Sequence, residues 1–220
     1  MLPSRNLYIF SAFLFVLFVV HIQASPTCHA QQELNGERGF FTKGDIDIQL
    51  ASGPLFSTKI FRNGTPTTNA WQNSIRLGWV LNNPKEKGWL GGSLEAMIEV
   101  PYALIYQGPG SYWVGITGLL RYNFVPLDSK WIPYVQVGAG VVHTNAYKDH
   151  SQDAIGQATE FNPQASLGIR YFLKEKWAVN LEAIFLHISN ANLAERNTGL
   201  NFFGGFIGVS YLFDPGCSTK

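Results

Sequence analysis

From about residue 45 onward the chain alternates apolar residues with small or polar ones at a period of two, in segments separated by turn-forming residues. The alternation predicts eight strands, at 45–55, 73–82, 89–104, 112–124, 131–144, 162–173, 177–189 and 201–213. Tight polar links fall at Asn83-Pro84-Lys85-Glu86-Lys87-Gly88, Pro126-Leu127-Asp128-Ser129-Lys130 and Lys174-Glu175-Lys176. Longer links span 56–72, 145–161 and 190–200, with a shorter one at 105–111. Short turns on one side and longer loops on the other, over an even number of strands, are the plan of a transmembrane barrel with both termini in the periplasm.

The two faces of each strand separate cleanly. Ile75, Leu77, Trp79 and Leu81 share one face against Ser74, Arg76 and Gly78; Leu94, Ala96, Ile98 and Val100 oppose Ser93, Glu95 and Glu99. Ile116, Leu120, Tyr122 and Phe124 likewise oppose Thr117, Arg121 and Asn123. In a membrane barrel the apolar face is the outer one. Arg76, Arg121, Arg170, Glu95, Glu99 and Glu182 are therefore expected in one lumen. Eight strands leave an interior only just wide enough for side chains, so equal numbers of opposite charges predict an ion-paired plug. The glutamates then read as structural partners of the arginines rather than as catalytic acids. A soluble ligand-carrying barrel would place its apolar face inward, the reverse of this pattern.

Trp79, Tyr122, Phe124, Trp131, Tyr171, Trp177, Tyr211 and Phe213 collect on the outer face near the periplasmic strand ends and read as an aromatic girdle. The last strand closes on Gly208-Val209-Ser210-Tyr211-Leu212-Phe213, and residues 214–220 are expected to hang beyond it as a periplasmic tail.

Composition agrees with a sheet that faces hydrocarbon, being 46% hydrophobic and only 14% charged. Past the amino end no run of eighteen apolar residues occurs, so a closed barrel is the remaining way to cross a bilayer. At the amino end Arg5 precedes the apolar run Leu7 to Val20, with small residues at Ala24, Ser25 and Ala30. This is the layout of a secretory signal over residues 1–30, cut after Ala30, and the run is shorter than the roughly 20 residues a spanning anchor needs. The mature barrel would then cover 31–213. Ser25-Pro26-Thr27 before Cys28 does not suit a lipoprotein signal, and Cys28 and Cys217 offer no disulfide framework. A formal charge of +1 supplies no basic stripe for nucleic acid.

The candidate chemistry lies on the seventh strand. Trp177, Val179, Leu181, Ala183 and Phe185 share one face and Asn180 and Glu182 the other, so continuing the apolar face reaches His187 and Ser189. Both are expected to project toward lipid near the extracellular rim, about 6.6 Å apart along the strand. A polar pair there is costly without a function. A histidine within reach of a hydroxyl is the minimum for nucleophilic acyl transfer, the imidazole taking the serine proton and returning it to the leaving alcohol.

The surrounding string, residues 187–201, reads HISNANLAERNTGLN. It resembles the signature of the lipid A 3-O-deacylases, the PagL-like or acyloxyacyl hydrolase family of outer-membrane β-barrels, through His187, Ser189, Asn190, Ala191, Asn197 and Gly199. The resemblance implies a carboxylic ester hydrolase in the cell outer membrane, acting on lipid A of lipopolysaccharide among outer-membrane lipids. It implies Ser189 as nucleophile and His187 as base, with Asn190 shaping or stabilising the oxyanion region and Asn197 and Gly199 shaping the loop. The family's third residue is a glutamate that orients the histidine, and this sequence has Asn201 there. Asn201 shares the outer face with Phe203, Gly205 and Ile207, so it is placed to meet His187 across the last hairpin. An amide can orient an imidazole but not stabilise the imidazolium; in one serine protease the Asp-to-Asn change costs about 10⁴ in turnover.

Glu195 is a second carboxylate in the same loop, read either as a substitute for that glutamate or as a solvated charge. Lys59, Arg62, Lys148 and Arg196 in the outer loops could meet lipid A phosphates or simply be solvated. His143 and His150 have no convincing ligand spacing, so neither metal nor cofactor is expected. Two other readings stay open: a non-catalytic small barrel with a structural or surface-binding role, and a phospholipid esterase. Oligomeric state is not legible.

Overall fold

In a computed structural model, which describes residues 40–59, 65–84, 91–125 and 129–215, nine strand segments close into one antiparallel barrel of eight staves. They are β1 (Ile46–Thr58), β2 (Asn69–Val80), β3 (Gly92–Gln107), β4 (Tyr112–Phe124), β5 (Trp131–Thr144), β6 (Thr159–Phe161), β7 (Gln164–Phe172), β8 (Trp177–Ile188) and β9 (Leu200–Phe213). Each stave pairs with its sequence neighbours, and β1 pairs with β9 to close the ring. The short β6 and the longer β7 both pair with β5 and together form the sixth stave. They are separated at Asn162-Pro163, where proline has no N–H to give the ladder.

The predicted strands at 112–124 and 131–144 coincide with β4 and β5. At the loop end β1, β2 and β3 run three to four residues further than the alternation indicated, to Thr58, from Asn69 and to Gln107. The inner face there continues with Ser57 on β1 and Ala70 and Gln72 on β2, small or polar residues that period-two reading scores weakly, and with Ile105 on β3, which packs on the loop-end core. The signal segment 1–30, Arg62, Lys85 to Gly88, Trp89, Pro126 to Asp128 and Cys217 lie outside the described residues, as does the tail beyond Pro215.

Burial is inverted relative to a soluble protein. Arg76, Arg121, Arg170, Glu95 and Glu99 are wholly buried, whereas Ile75, Ile98, Ile116, Leu181 and Ile207 stand exposed on the outer wall. Such an apolar wall, on strands paired around a closed ring, is suited to hydrocarbon rather than water. At the turn end, ring pairs Trp131 with Tyr171, Trp177 with Tyr211 and Tyr122 with Phe124 form the girdle, with centroids 4.4, 4.9 and 5.1 Å apart.

The lumen is filled in three layers. A charged middle layer has Arg76 clamped bidentately on Glu182 at 2.7 and 3.1 Å and bonded through Nε to Glu99 at 2.9 Å. Tyr134 donates its hydroxyl to Glu182 at 2.9 Å and carries the Arg121 guanidinium on its ring, while Arg170 bonds Asp47 and Asn180. Among the described residues Asp47 makes this layer four carboxylates to three arginines, and Glu160, buried at an inward position of β6, adds a fifth inward carboxylate nearer the loops, which corrects the equal numbers expected from sequence. The place of Asp47 between Ile46 and Ile48 at an inward position of β1 was the available signal. Phe41, Ile132, Phe172 and Leu212 fill the turn end, and Leu55, Trp113, Ile184, Leu186, Phe202 and Phe206 fill the loop end. Gly168 makes room for this packing, because a Cβ there would lie 2.1 Å from the Tyr134 ring.

Candidate active site at the loop end of the outer wall

His187 sits on the outward face of β8 one residue before its end, and its backbone N–H is held by the Pro163 carbonyl at 2.9 Å. Ser189 follows just past the strand. Two backbone hydrogen bonds with Phe161, at 2.7 and 3.1 Å, fix it against β6, so the nucleophile candidate is held by ladder geometry although it lies beyond the end of β8.

Antiparallel register pairs His187 directly with Asn201 on β9. The imidazole bridges the two neighbours: Nε2 lies 2.8 Å from Ser189 Oγ and Nδ1 lies 2.6 Å from Asn201 Oδ1. With the amide oxygen at Nδ1, that nitrogen must carry the proton, which leaves the Nε2 lone pair to accept from the serine hydroxyl. This is the tautomer acyl transfer needs. His187 and Ser189 are half-buried, and Asn201 is almost covered at 6% exposure.

Gly199 closes the far side of the ring. Its φ of +69° is in the left-handed region, and a Cβ there would lie 2.9 Å from His187 Cε1 and 3.3 Å from Ser189 Cβ.

The loop between β8 and β9 is organised by its own amides. Asn190 is fully buried; its backbone N–H donates to Asn197 Oδ1 at 2.8 Å and its side-chain amide to the Arg196 carbonyl at 2.9 Å. These bonds shape the loop, which is the geometry seen for Asn190; both donors are engaged there rather than aimed at an oxyanion. Asn197 also donates to Asn192 Oδ1 at 2.7 Å. Ala191 and Asn192, with φ of 53° and 66°, turn the chain sharply after Asn190.

Arg196, one of the candidate phosphate ligands, points instead into the neighbouring loop. Its guanidinium donates to the Asp149, Gln152 and Tyr147 carbonyls at 2.8, 3.0 and 2.7 Å. Gln152 in turn holds that loop together, accepting from the Ala154 and Ile155 N–H groups and donating to three carbonyls. In the same loop the Ser151 hydroxyl and N–H bond Asp149 and hold its carboxyl below the usual carboxylate range. Thr198 and Gly199 N–H groups complete the docking on Asp153 and Ala154. Gln152 and this loop-to-loop brace were missed from sequence, because irregular loops carry no periodicity.

Glu195 is exposed in the loop, while Asn201 holds the His187 Nδ1 position. Lys59 and Lys148 are exposed. His143 and His150 stand apart on the β5 wall and in the following loop, and among the described residues no group of three His, Cys, Asp or Glu gathers to hold a metal.

The sequence model of the family described as lipid A 3-O-deacylase (PagL) matches residues 73–210, from β2 to β9, well over half of the chain. The chain belongs to the lipid A 3-O-deacylase family. Its matched span takes in His187, Ser189, Asn190, Asn197, Gly199 and Asn201. No curated protein matches as a sequence relative. Among solved structures, the outer membrane enzyme PagL is similar at 17% identity and a TM-score of 0.54, covering 74% of this chain and 97% of that one. Neisserial surface protein A is similar at 13% identity and a TM-score of 0.56, covering 78% and 100%. Both show the barrel fold of this deacylase-family chain.

Proposed function

We propose that this family member is an outer-membrane ester hydrolase that removes the 3-O-linked acyl chain of lipid A by serine nucleophilic catalysis. The observation that carries the reading is the imidazole of His187 lying between Ser189 Oγ and Asn201 Oδ1 on an apolar outer wall, at the end bearing the long loops. With those loops extracellular, the pair sits at the level of the outer leaflet.

His187 Nε2 takes the Ser189 proton as Oγ attacks the ester carbonyl carbon. The tetrahedral intermediate collapses by breaking the bond to the sugar 3-oxygen, which receives the proton from His187. Water, deprotonated by the same nitrogen, then attacks the acyl-serine and releases the fatty acid. Asn201 keeps the proton on Nδ1 throughout.

The test is lipid A mass spectrometry on cells that make the folded barrel and whose lipid A carries the 3-O chain. Loss of one hydroxyacyl chain, abolished by Ser189→Ala, is expected. An unchanged spectrum with folded protein would overturn the reading in favour of a non-catalytic barrel, and release of fatty acid from phospholipid alone would replace the substrate.

A further inference from the structure

The inward carboxylates are of two kinds. Asp47, Glu95, Glu99 and Glu182 each lie within 4.0 Å of an arginine. Glu160, nearer the loops and 1% exposed, does not: among the described residues it pairs with no Lys or Arg, and its Oε2 has no hydrogen-bond partner. A buried carboxylate without a counter-charge costs stability that an apolar side chain of the same size would not. Packing therefore gives no reason for a charge at this position, and its neighbours do.

The bridge between Phe161 and Ser189 sets the register of β6 against the start of the site loop, so Glu160 stands opposite Asn190 on the inner face. Glu160 Oε1 accepts the Gln157 N–H at 3.2 Å, and the Gly156 N–H and the Asn190 side chain face the same carboxylate as further donors. Asn190 follows Ser189 directly, and its amide is tied on the other side to the Arg196 carbonyl at 2.9 Å.

We propose that Glu160 is a positioning residue of the deacylase-family site, holding the chain at Ser189 and Asn190 from inside the barrel. The inference rests on the hydrolase reading above. The three-residue β6 grips that segment from both faces. Phe161 holds Ser189 through two backbone bonds, and Glu160 holds Asn190 through its side chain, so the peptide between them is pinned where Ser189 Oγ stands 2.8 Å from His187 Nε2. An ionised carboxylate suits the place because it only accepts, and the groups facing it can all donate. Glu160 points to the opposite side of the wall from Ser189, so it acts through Asn190 and not on the ester itself.

Two experiments on the full barrel in phospholipid vesicles test this. Glu160→Met keeps the bulk and removes the charge and its acceptors. Its kcat on the lipid A ester is expected to fall roughly tenfold or more, since misplacing a reacting group by about 1 Å can cost 10²-fold, with KM nearly unchanged. Its thermal melt should stay at or above that of wild type, because an unpaired buried charge has gone. Glu160→Asp, which keeps the charge at shorter reach, should recover part of kcat. Unchanged kcat in Glu160→Met overturns the assignment, and so does a loss of kcat accompanied by a lower melt, which would mark Glu160 as a structural residue only. The second experiment needs no turnover. Amide hydrogen exchange in Glu160→Met should quicken at Gln157 and across 190–194 while β8 and β9 exchange as in wild type; unchanged exchange in both loops overturns the grip. A folded wild-type barrel that cleaves no ester overturns the hydrolase reading and the positioning role with it, whereas equal turnover by wild type and Glu160→Met removes Glu160 alone.

Discussion

His187 Nδ1 lies 2.6 Å from Asn201 Oδ1 across the β8–β9 ladder, the place where the resemblance of residues 187–201 implies a glutamate. A carboxylate can only accept there, which forces the proton onto Nδ1 and stabilises the imidazolium formed in catalysis. An amide has a donor as well as an acceptor, so turning it by half a turn would give His187 the opposite tautomer.

Replacing Asn201 with Asp keeps the reach and restores the charge; Glu restores the family residue. Turnover by Asn201→Asp or Asn201→Glu is expected to rise tenfold or more, within the roughly 10⁴-fold span known for such a change. Asn201→Leu should lower it. The measurement is kcat on the lipid A ester with Ser189 intact; no change in any of the three variants would remove position 201 from the mechanism.

Gly199→Ala should fold but turn over poorly. The added Cβ meets His187 Cε1 at 2.9 Å, and the left-handed backbone at +69° costs an alanine about 1 kcal/mol. A thermal melt in detergent is expected to shift slightly while activity drops by an order of magnitude. Full activity would show that the imidazole can move aside freely.

Arg196→Met removes the brace between the site loop and the loop after β5, orphaning bonds to the Tyr147, Asp149 and Gln152 carbonyls. Faster proteolysis within 145–158 and 190–199 is expected, with lower activity and a barrel melting point close to wild type. Arg196→Lys should recover only part, because a point charge cannot span three carbonyls as the planar fork does. Equal protease resistance in wild type and Arg196→Met would show the brace to be dispensable.

In the lumen, Arg76→Met leaves Glu99 without its cation and Glu182 with only Arg121, 4.0 Å away, and should destabilise the barrel by about 3–5 kcal/mol. Adding Glu99→Gln and Glu182→Gln to Arg76→Met should restore much of the loss. Urea unfolding from lipid vesicles reads both, and a triple variant no more stable than the single one would argue against charge imbalance as the cause.

Period-two alternation by itself determined the eight staves, the inward arginines and glutamates, the girdle, and the outward parity of His187, Ser189 and Asn201. Successive side chains on a strand point to opposite faces whatever the strand pairs with, so these are local properties. The tertiary structure decided what the parity meets. Register across β8 and β9 put Asn201 rather than any other outward residue at His187, and pairing on Phe161 held Ser189 beyond the strand end. The break at Asn162-Pro163, the Arg196 brace and the inward Asp47 partner of Arg170 likewise depend on residues far apart in the chain. Cross-strand register and loop docking are set when the ring closes, and a slip of one residue would move every outward side chain inward.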